Sequence, residues 1–332
     1  HAWRKEFEEE VEDTLLHSEQ MALIHDASIS KYAKDPRKIN LCGANLSKLD
    51  LSGLDLSWAN LTYTKLKQIK LKKSDLTRAM LLDVNLTKAD LSEAILSKSI
   101  LSGSNLTRAN LSNANLSEAG LGEVTQYCSL GGRKVNLTEA YLFKVNLRNS
   151  TLCGANFTKA ELIEASFIGA YLQKANFTQA KFRKTNFTQA YLERANFTKA
   201  DAQDKTDDES YIEAINFTKA QLYKANFTQA TLVKVNLTQA YLWNTNFTES
   251  NLEYIKITMS TTLRQSNFTS VNLKNIDFMQ ADLNQTNFTD ASLNKVNLLQ
   301  ANLNQANLAN ITLIDSQVPT EQALIFYEKE EG

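Results

Sequence analysis

Residues 171–200 read YLQKANFTQAKFRKTNFTQAYLERANFTKA, and every fifth residue, starting from the second, is Leu or Phe. The same spacing begins at Leu41, and leucine occupies all seventeen positions at steps of five from there up to Leu121. Two positions before each large residue stands mostly a small one, as at Ala175. Most of the chain is therefore built from one repeat of five residues, and such a repeat decides the fold before any other feature does.

A period of five residues fits neither an α-helix, at about 3.6 residues per turn, nor a β-strand, at about two. If each unit forms one side of a square, four units close a coil of twenty residues with the Leu, Phe and small residues inside. Stacked coils of this kind form a solenoid. Outward residues should then recur every twenty positions, and we interpret two such columns as structural ladders that incidentally create N-x-T matches. The columns are Asn136, Asn156, Asn176, Asn196, Asn216 and Asn236, and Thr138, Thr158, Thr178, Thr198, Thr218 and Thr238.

Individual units carry a recognisable signature. Ala44-Asn45-Leu46-Ser47-Lys48 and Ala89-Asp90-Leu91-Ser92-Glu93 match the pattern A(D/N)LXX, so the chain resembles the pentapeptide repeat family over residues 39 to 315. The resemblance implies an all-β solenoid, the right-handed quadrilateral β-helix of that family, and a bacterial, specifically cyanobacterial, source. The predicted interior includes Leu46, Leu91, Leu111, Phe177, Phe187, Phe227 and Leu303.

The two ends of the chain differ from the repeat. We place the solenoid at residues 37–317, a helical N-terminal cap or partner-binding segment at 1–36, and a C-terminal cap at 318–332. An open solenoid exposes apolar surface and unpaired strand edges unless its ends are covered, and a terminal segment can equally support a homodimer. Three interruptions are expected, at residues 122–136, 201–211 and 258–267. We interpret the acidic residues of the second as a solvated loop, because they lack the glycine and terminal glutamate of a calcium-binding loop.

The composition excludes several classes of protein. The chain has 332 residues, 43% of them hydrophobic, and lacks an apolar run long enough to cross a membrane. All three histidines lie before residue 26, and Cys42 and Cys153 stand at ordinary repeat positions. No phosphate-binding loop, nucleotide motif or metal motif is present. We therefore expect a protein that is not an enzyme, has no cofactor, metal or catalytic residue, and works in a reducing, cytoplasmic compartment.

The distribution of charged residues indicates which partners the rod can bind. The best understood proteins of the family that this chain resembles mimic DNA with an acidic rod and act on gyrase. Here residues 37–317 hold 31 Lys and Arg against 24 Asp and Glu, so the rod is mildly basic. The electrostatic field of a mildly basic rod is unlike the negative field of the phosphates of duplex DNA. A nucleic acid partner or a role directed at gyrase is therefore the less favoured alternative.

The middle of the rod carries the candidate binding residues. Residues 129–200 hold 11 basic and 4 acidic side chains. Under twenty-residue stacking, three tyrosines form a line with two cations beside it, in a combination that is common where proteins meet. These residues are Tyr171, Lys174, Tyr191, Arg194 and Tyr211. The sequence thus predicts a non-catalytic, rod-like scaffold or protein-binding module with an unidentified protein partner, although the same residues can also form a merely solvated surface.

Overall fold

The computed structural model describes residues 39–122, 134–203 and 214–319, which form a parallel β-solenoid without a helical residue in these ranges. Each coil pairs in parallel with the next, usually twenty residues further along the chain, as Asn40 does with Asn60. Four such columns of paired residues run along the rod. The all-β, four-sided solenoid predicted from the sequence is therefore confirmed.

The four columns define four outer faces, which we number in chain order from Asn40, Asn45, Asp50 and Asp55. Face 1 is the column Asn40, Asn60, Met80, Ile100, Gly120, Thr151, Tyr171, Tyr191, Gln221, Tyr241, Thr262, Asp282 and Asn302. Face 2 is the column Asn45, Lys65, Asn85, Asn105, Asn136, Asn156, Asn176, Asn196, Asn226, Asn246, Asn267, Asn287 and Asn307. Side chains in one column are neighbours at about 4.8 Å per coil.

Faces 3 and 4 also carry short strands among the described residues. The strands are β1 (Glu161–Ile163), β2 (Lys181–Arg183), β3 (Thr185–Asn186), β4 (Asp201–Ala202), β5 (Ile215–Asn216), β6 (Thr231–Val233), β7 (Val235–Asn236), β8 (Asn251–Glu253), β9 (Asn272–Asp277), β10 (Ser292–Asn297) and β11 (Thr312–Ile314). An eight-stranded parallel sheet in the order β1-β2-β4-β6-β8-β9-β10-β11 lies on face 3, with β9 and β10 continuing onto face 4, and β3-β5-β7 form a three-stranded sheet on face 4. Both sheets continue the coil-to-coil pairing of the rest of the rod.

The interior is a column of leucine and phenylalanine. All seven interior residues singled out from the sequence are buried: Leu46, Leu91, Leu111, Phe177, Phe187, Phe227 and Leu303. Phenylalanine rings on successive coils stack face to face, with ring centroids 4.8 Å apart between Phe177 and Phe197. The rise of the backbone thus matches the stacking distance of the rings, and the core and the ladder of hydrogen bonds reinforce each other.

Most corners of the rod turn in the same way. The residue two after the inward Leu or Phe has a positive φ, for example 66° at Lys48, and Leu49 N–H donates to the Leu46 carbonyl at 3.3 Å. This is the geometry of a type II turn. Among the described non-glycine residues with positive φ there is no Val, Ile or Thr. Branching at Cβ is strained in this conformation, which is why Lys, Gln, Glu and Asn occupy the corners.

The spacing between paired residues increases at three places. It is 31 residues from Asn105 to Asn136, 30 from Asn196 to Asn226, and 21 from Tyr241 to Thr262 in face 1. These places coincide with the three interruptions predicted from the sequence. Residues 123–133 and 204–213 lie outside the described residues, as do residues 1–38 and 320–332, and therefore almost all of both predicted caps.

One predicted column is wrong beyond Asn196. Asn196 pairs with Asn226, whereas Asn216 belongs to face 4, where it pairs with Asn186 and Asn236. The corresponding threonines, Thr218 and Thr238, move with them. The cause is arithmetic. Ten additional residues are two whole repeat units of five, so the alternation of inward and outward residues is preserved, but they are only half of a coil of twenty, so later residues change face. A column of asparagines that is continuous at steps of twenty in the sequence therefore changes face.

Truncating one interior leucine should destabilise the rod. Leu91→Ala removes a fully buried side chain and leaves a cavity, so we expect the free energy of unfolding in urea to fall by about 2–5 kcal/mol. The control is Leu299→Ala, which truncates an exposed leucine and should change stability by about 0.5 kcal/mol or less. Equal losses in the two variants would contradict the assignment of inward and outward positions.

Corner residues give a second stability prediction. Gln179 is exposed and has a φ of 59°. We expect Gln179→Val to lower the free energy of unfolding by about 1 kcal/mol because its Cβ branch is strained there, and Gln179→Gly to change it by about 0.5 kcal/mol or less. Urea titrations of the two variants measure this difference. A valine variant as stable as the glycine variant would show that the corner is not left-handed.

Candidate protein-binding surface

Two of the tyrosines predicted to form a binding surface lie on face 1. Tyr171 and Tyr191 are paired on adjacent coils, and their rings stack with centroids 4.8 Å apart and planes 2° from parallel. Tyr171 is 40% exposed. The rod therefore presents the two tyrosines as one rigid unit, with their ring edges towards solvent and one face of each ring against the other.

The two cations predicted beside these tyrosines form a second row at the corner that follows face 1. Lys174 N–H donates to the Glu193 carbonyl at 2.9 Å, and Arg194 N–H donates to the Tyr223 carbonyl at 2.9 Å. Both residues have the left-handed conformation of the corners. Lys224 occupies the same corner position one coil beyond Arg194. Lys174, Arg194 and Lys224 thus lie on three successive coils.

The third predicted tyrosine, Tyr211, lies outside the described residues, and the position next to Tyr191 in face 1 belongs to Gln221 instead. Gln221 pairs in turn with Tyr241, which is 55% exposed. Among the described residues, face 1 therefore contains two of the three predicted tyrosines. The change of phase at the second interruption brings Tyr241 into the column.

Two further aromatic residues lie beside the face 1 column and were missed in the sequence analysis. Tyr223 and Trp243 follow Gln221 and Tyr241 by two positions, and their ring centroids lie 5.1 Å apart at an angle of 35°. Trp243 is 48% exposed, and its Nε1–H donates to Gln265 Oε1 at 2.7 Å. We define the aromatic surface as Tyr171, Tyr191, Tyr223, Tyr241 and Trp243. A step of thirty residues across the second interruption is the signal that would have revealed it.

A shallow groove borders the tyrosine pair. Its volume is about 440 Å³, and its lining contains no carboxylate. The lining residues are Asn149, Gly169, Tyr171, Gln189, Tyr191, Lys219 and Gln221. Gly169 has a φ of 67°, and a Cβ there would lie 2.4 Å from Asn149 Oδ1. Glycine at this corner therefore keeps the groove open where neighbouring coils carry long side chains.

One carboxyl group lies between the two cations in sequence and is partly withdrawn from water. Burial raises the pKa of Glu193, opposed by hydrogen bonds from its own backbone N–H and from the side chain of Gln173. Glu193 Oε2 is buried without a hydrogen-bond partner. The environment thus disfavours the charged form of the carboxyl group on this part of face 1.

The raised pKa of Glu193 predicts a pH dependence of stability. Above the raised pKa the ionised group is penalised only in the folded state, and below the usual carboxyl range it is protonated in both states, so this penalty disappears as the pH falls. Glu193→Gln should therefore stabilise the protein in urea at pH 7 and lose that advantage near pH 4. The exposed Glu118→Gln serves as control. An unchanged or lower stability of Glu193→Gln at pH 7 would contradict the burial effect.

Face 2 has a different chemistry from face 1. The Asn176 side-chain amide donates to Thr158 Oγ1 at 3.0 Å, and its Oδ1 accepts from Thr178 N–H at 3.1 Å and from Thr178 Oγ1 at 2.6 Å. Asn196 repeats these contacts one coil on. The ladder satisfies its own donors and acceptors, which fits the structural role inferred from the sequence and leaves few polar groups for a ligand.

Other features of the described residues concern chemistry and compartment. They contain no histidine and no group of three or more His, Cys, Asp or Glu arranged to hold a metal ion. In the same ranges, no helix is long and apolar enough to cross a membrane. Cys42 is free and exposed, whereas Cys153 is disulfide-bonded. A bonded Cys153 differs from the ordinary repeat residue inferred from its position.

Comparison with known families gives a clear match. The family model for pentapeptide repeats matches in eight copies, at residues 37–62, 55–92, 85–121, 136–173, 170–204, 215–253, 260–285 and 281–316. The comparison with curated proteins found no match. The matched stretches cover most of the solenoid, including the aromatic surface.

Several solved pentapeptide repeat proteins are similar to the chain. HetL, involved in heterocyst differentiation regulation in the cyanobacterium Nostoc sp. strain PCC 7120, is 24% identical over 79% of this chain and 90% of its own, with a TM-score of 0.25. A protein of the Arabidopsis thaliana thylakoid lumen is 37% identical over 33% of this chain and 72% of its own, with a TM-score of 0.25. QnrB1, a plasmid-mediated fluoroquinolone resistance protein, is 15% identical over 87% and 97%, with a TM-score of 0.25. Their stated roles and locations differ, so the family match carries the assignment.

Proposed function

The chain belongs to the pentapeptide repeat family, and from this we propose that it is a non-catalytic, rod-like scaffold that binds a protein partner through face 1. The observation that carries the proposal is the aromatic surface. Its five rings lie on one side of the rod and are flanked by Lys174, Arg194 and Lys224. Tyrosine, tryptophan and arginine dominate the binding energy of protein interfaces because they offer large contact areas together with polar groups.

The contrast between faces supports a binding role over a merely solvated surface. Face 2 repeats asparagine and threonine in side chains that bond to one another, whereas face 1 exposes Tyr171, Tyr241 and Trp243. Exposed tyrosines also occur on face 3 and its corner, as at Tyr141 and Tyr254, but those two lie on distant coils, whereas Tyr241 and Trp243 lie on the same coil. Rigid, exposed aromatic residues are typical of surfaces that a partner covers.

A regulator acting on nucleic acid, or on an enzyme of nucleic acid such as gyrase, is the alternative. The excess of 31 basic over 24 acidic residues in 37–317 disfavours mimicry of DNA. We place catalysis outside the function because the solenoid sequence has no histidine and no catalytic motif. The candidate homodimer would involve a terminal segment outside the described residues.

The compartment belongs to the proposal as well. The cysteine count favours the cytoplasm, but disulfides persist mainly in oxidising compartments, and Cys153 is bonded. We therefore propose that the protein works where this bond is maintained, rather than in a reducing cytoplasm. A cyanobacterial source fits both the family and the similarity to HetL.

The proposed binding surface can be tested by capture of partners from the source cells. We expect Tyr171→Ala/Tyr191→Ala to retain the fold and to lose, by tenfold or more, a partner captured by the native protein, because both rings are removed from the centre of face 1. Quantitative mass spectrometry of captured proteins measures this. The matched control is Tyr141→Ala/Tyr254→Ala on face 3 and its corner, where the tyrosines are 40% and 41% exposed. Equal capture by both double variants would eliminate this surface.

A further inference from the structure

We infer that the partner presents an acidic, extended segment to the aromatic surface and lays it along the rod axis. This inference rests on the proposed function and specifies the chemistry of the partner. The occupant follows from charge: Arg194 and Lys224 beside the aromatic rings, and Lys219 in the groove, lie on a part of the rod where cations outnumber carboxyl groups among the described residues.

Several cations on face 3 and at its corner pair with acids on the adjacent coil, although Lys184 and Lys234 at that corner form no ion pair within the described ranges. The pairs include Lys181–Glu161 at 3.2 Å, Lys144–Glu164 at 3.6 Å and Lys274–Glu253 at 2.7 Å. Within the described ranges, neither Arg194 nor Lys224 forms an ion pair. Both side chains belong to exposed residues.

The surroundings of this row carry more positive than negative charge. From Tyr171 to Asn244, the described residues on face 1 and at its following corner include a single carboxyl group, that of Glu193, against the three cations Lys174, Arg194 and Lys224. On the other side of the tyrosine pair, the groove adds the exposed Lys219. Cations therefore flank the aromatic rings on both sides, and a partner with carboxylates gains charge complementarity along both edges.

The geometry of the rings distinguishes a peptide from single-stranded nucleic acid. Nucleic acid bases bind aromatic side chains by stacking on an open ring face. Here one face of each ring in the Tyr171–Tyr191 pair is covered by the other ring at 4.8 Å, and the ring of Tyr223 contacts both Trp243 at 5.1 Å and Lys224 Nζ at 4.9 Å. These contacts leave fewer ring faces on which a base can stack, whereas an extended peptide can contact the ring edges and the hydroxyl groups.

The length of the surface sets the size of the segment. Tyr171 and Tyr241 are three coils apart, or about 14 Å at ~4.8 Å per coil. An extended peptide rises by about 3.3 Å per residue, so about five residues span this distance. A segment with two or three Asp or Glu residues among apolar ones can contact Arg194 and Lys224 while it covers the rings.

Selection of peptides from a random library displayed on phage tests the inference with the full-length protein. We expect twelve-residue peptides selected on the native protein to be enriched at least twofold in Asp and Glu over the unselected library. For a selected peptide bearing a fluorescent label, we expect Arg194→Glu/Lys224→Glu to raise Kd at least tenfold. Lys184→Glu/Lys234→Glu is the control, because it makes the same charge change at the corner after face 3, and it should change Kd by less than twofold.

The outcomes separate this inference from the proposed function. Peptides that lack acidic enrichment but lose binding in Tyr171→Ala/Tyr191→Ala would overturn the acidic segment and leave the protein-binding surface standing. Equal weakening by both charge-reversed variants would likewise overturn it, since a general field would then suffice. Retention of a labelled twenty-nucleotide oligothymidine that competes with the peptide would assign the surface to nucleic acid. If no peptide is selected and partner capture does not depend on the tyrosines, both proposals fail.

Discussion

The parallel hydrogen bonding of each coil to the next is the constraint on which the rest of the structure depends. It holds equivalent residues at about 4.8 Å, a distance at which phenylalanine rings stack, asparagine and threonine side chains bond, and lysine and glutamate pair. The distance of 4.8 Å between the rings of Phe177 and Phe197 recurs between the rings of Tyr171 and Tyr191 outside. The core and the surface of the rod thus share the same spacing, and the contacts of a side chain depend mainly on the equivalent residues of the two adjacent coils.

The sequence predicts the architecture well because the fold depends on a short period that is visible without coordinates. Leu91 and Phe177 mark the interior by spacing alone, and the polar residues with positive φ, such as Lys48 and Gln179, mark the corners. The surface is harder to predict because it depends on the longer period of twenty. Ten additional residues leave the first period intact and shift the second, which is why Asn216 was placed in the wrong column.

The same shift explains what was missed at the binding surface. Tyr171 and Tyr191 precede the second interruption, and their stacking follows from a step of twenty. Tyr241 and Trp243 follow it, and the face on which they lie depends on how many residues separate paired residues on adjacent coils at the interruption. No local pattern in the sequence fixes that number. The burial of Glu193 was equally hidden, because it arises from packing between coils at a position that elsewhere carries other residues.

The four-sided cross-section also governs how such a surface can change in evolution. Loss or gain of five codons within the regular repeat would turn everything downstream by a quarter of a revolution, and a change of ten by half, whereas a duplication of twenty lengthens every side without rotating it. Asn196 and Asn226 lie on adjacent coils although thirty residues separate them. With twenty residues per coil throughout, Tyr241 and Trp243 would lie on the opposite side of the rod from Tyr191. Only insertions or deletions of whole coils wound into the rod keep the aromatic residues on one side. Selection for a continuous aromatic surface would therefore act on the length of insertions as much as on the identity of residues.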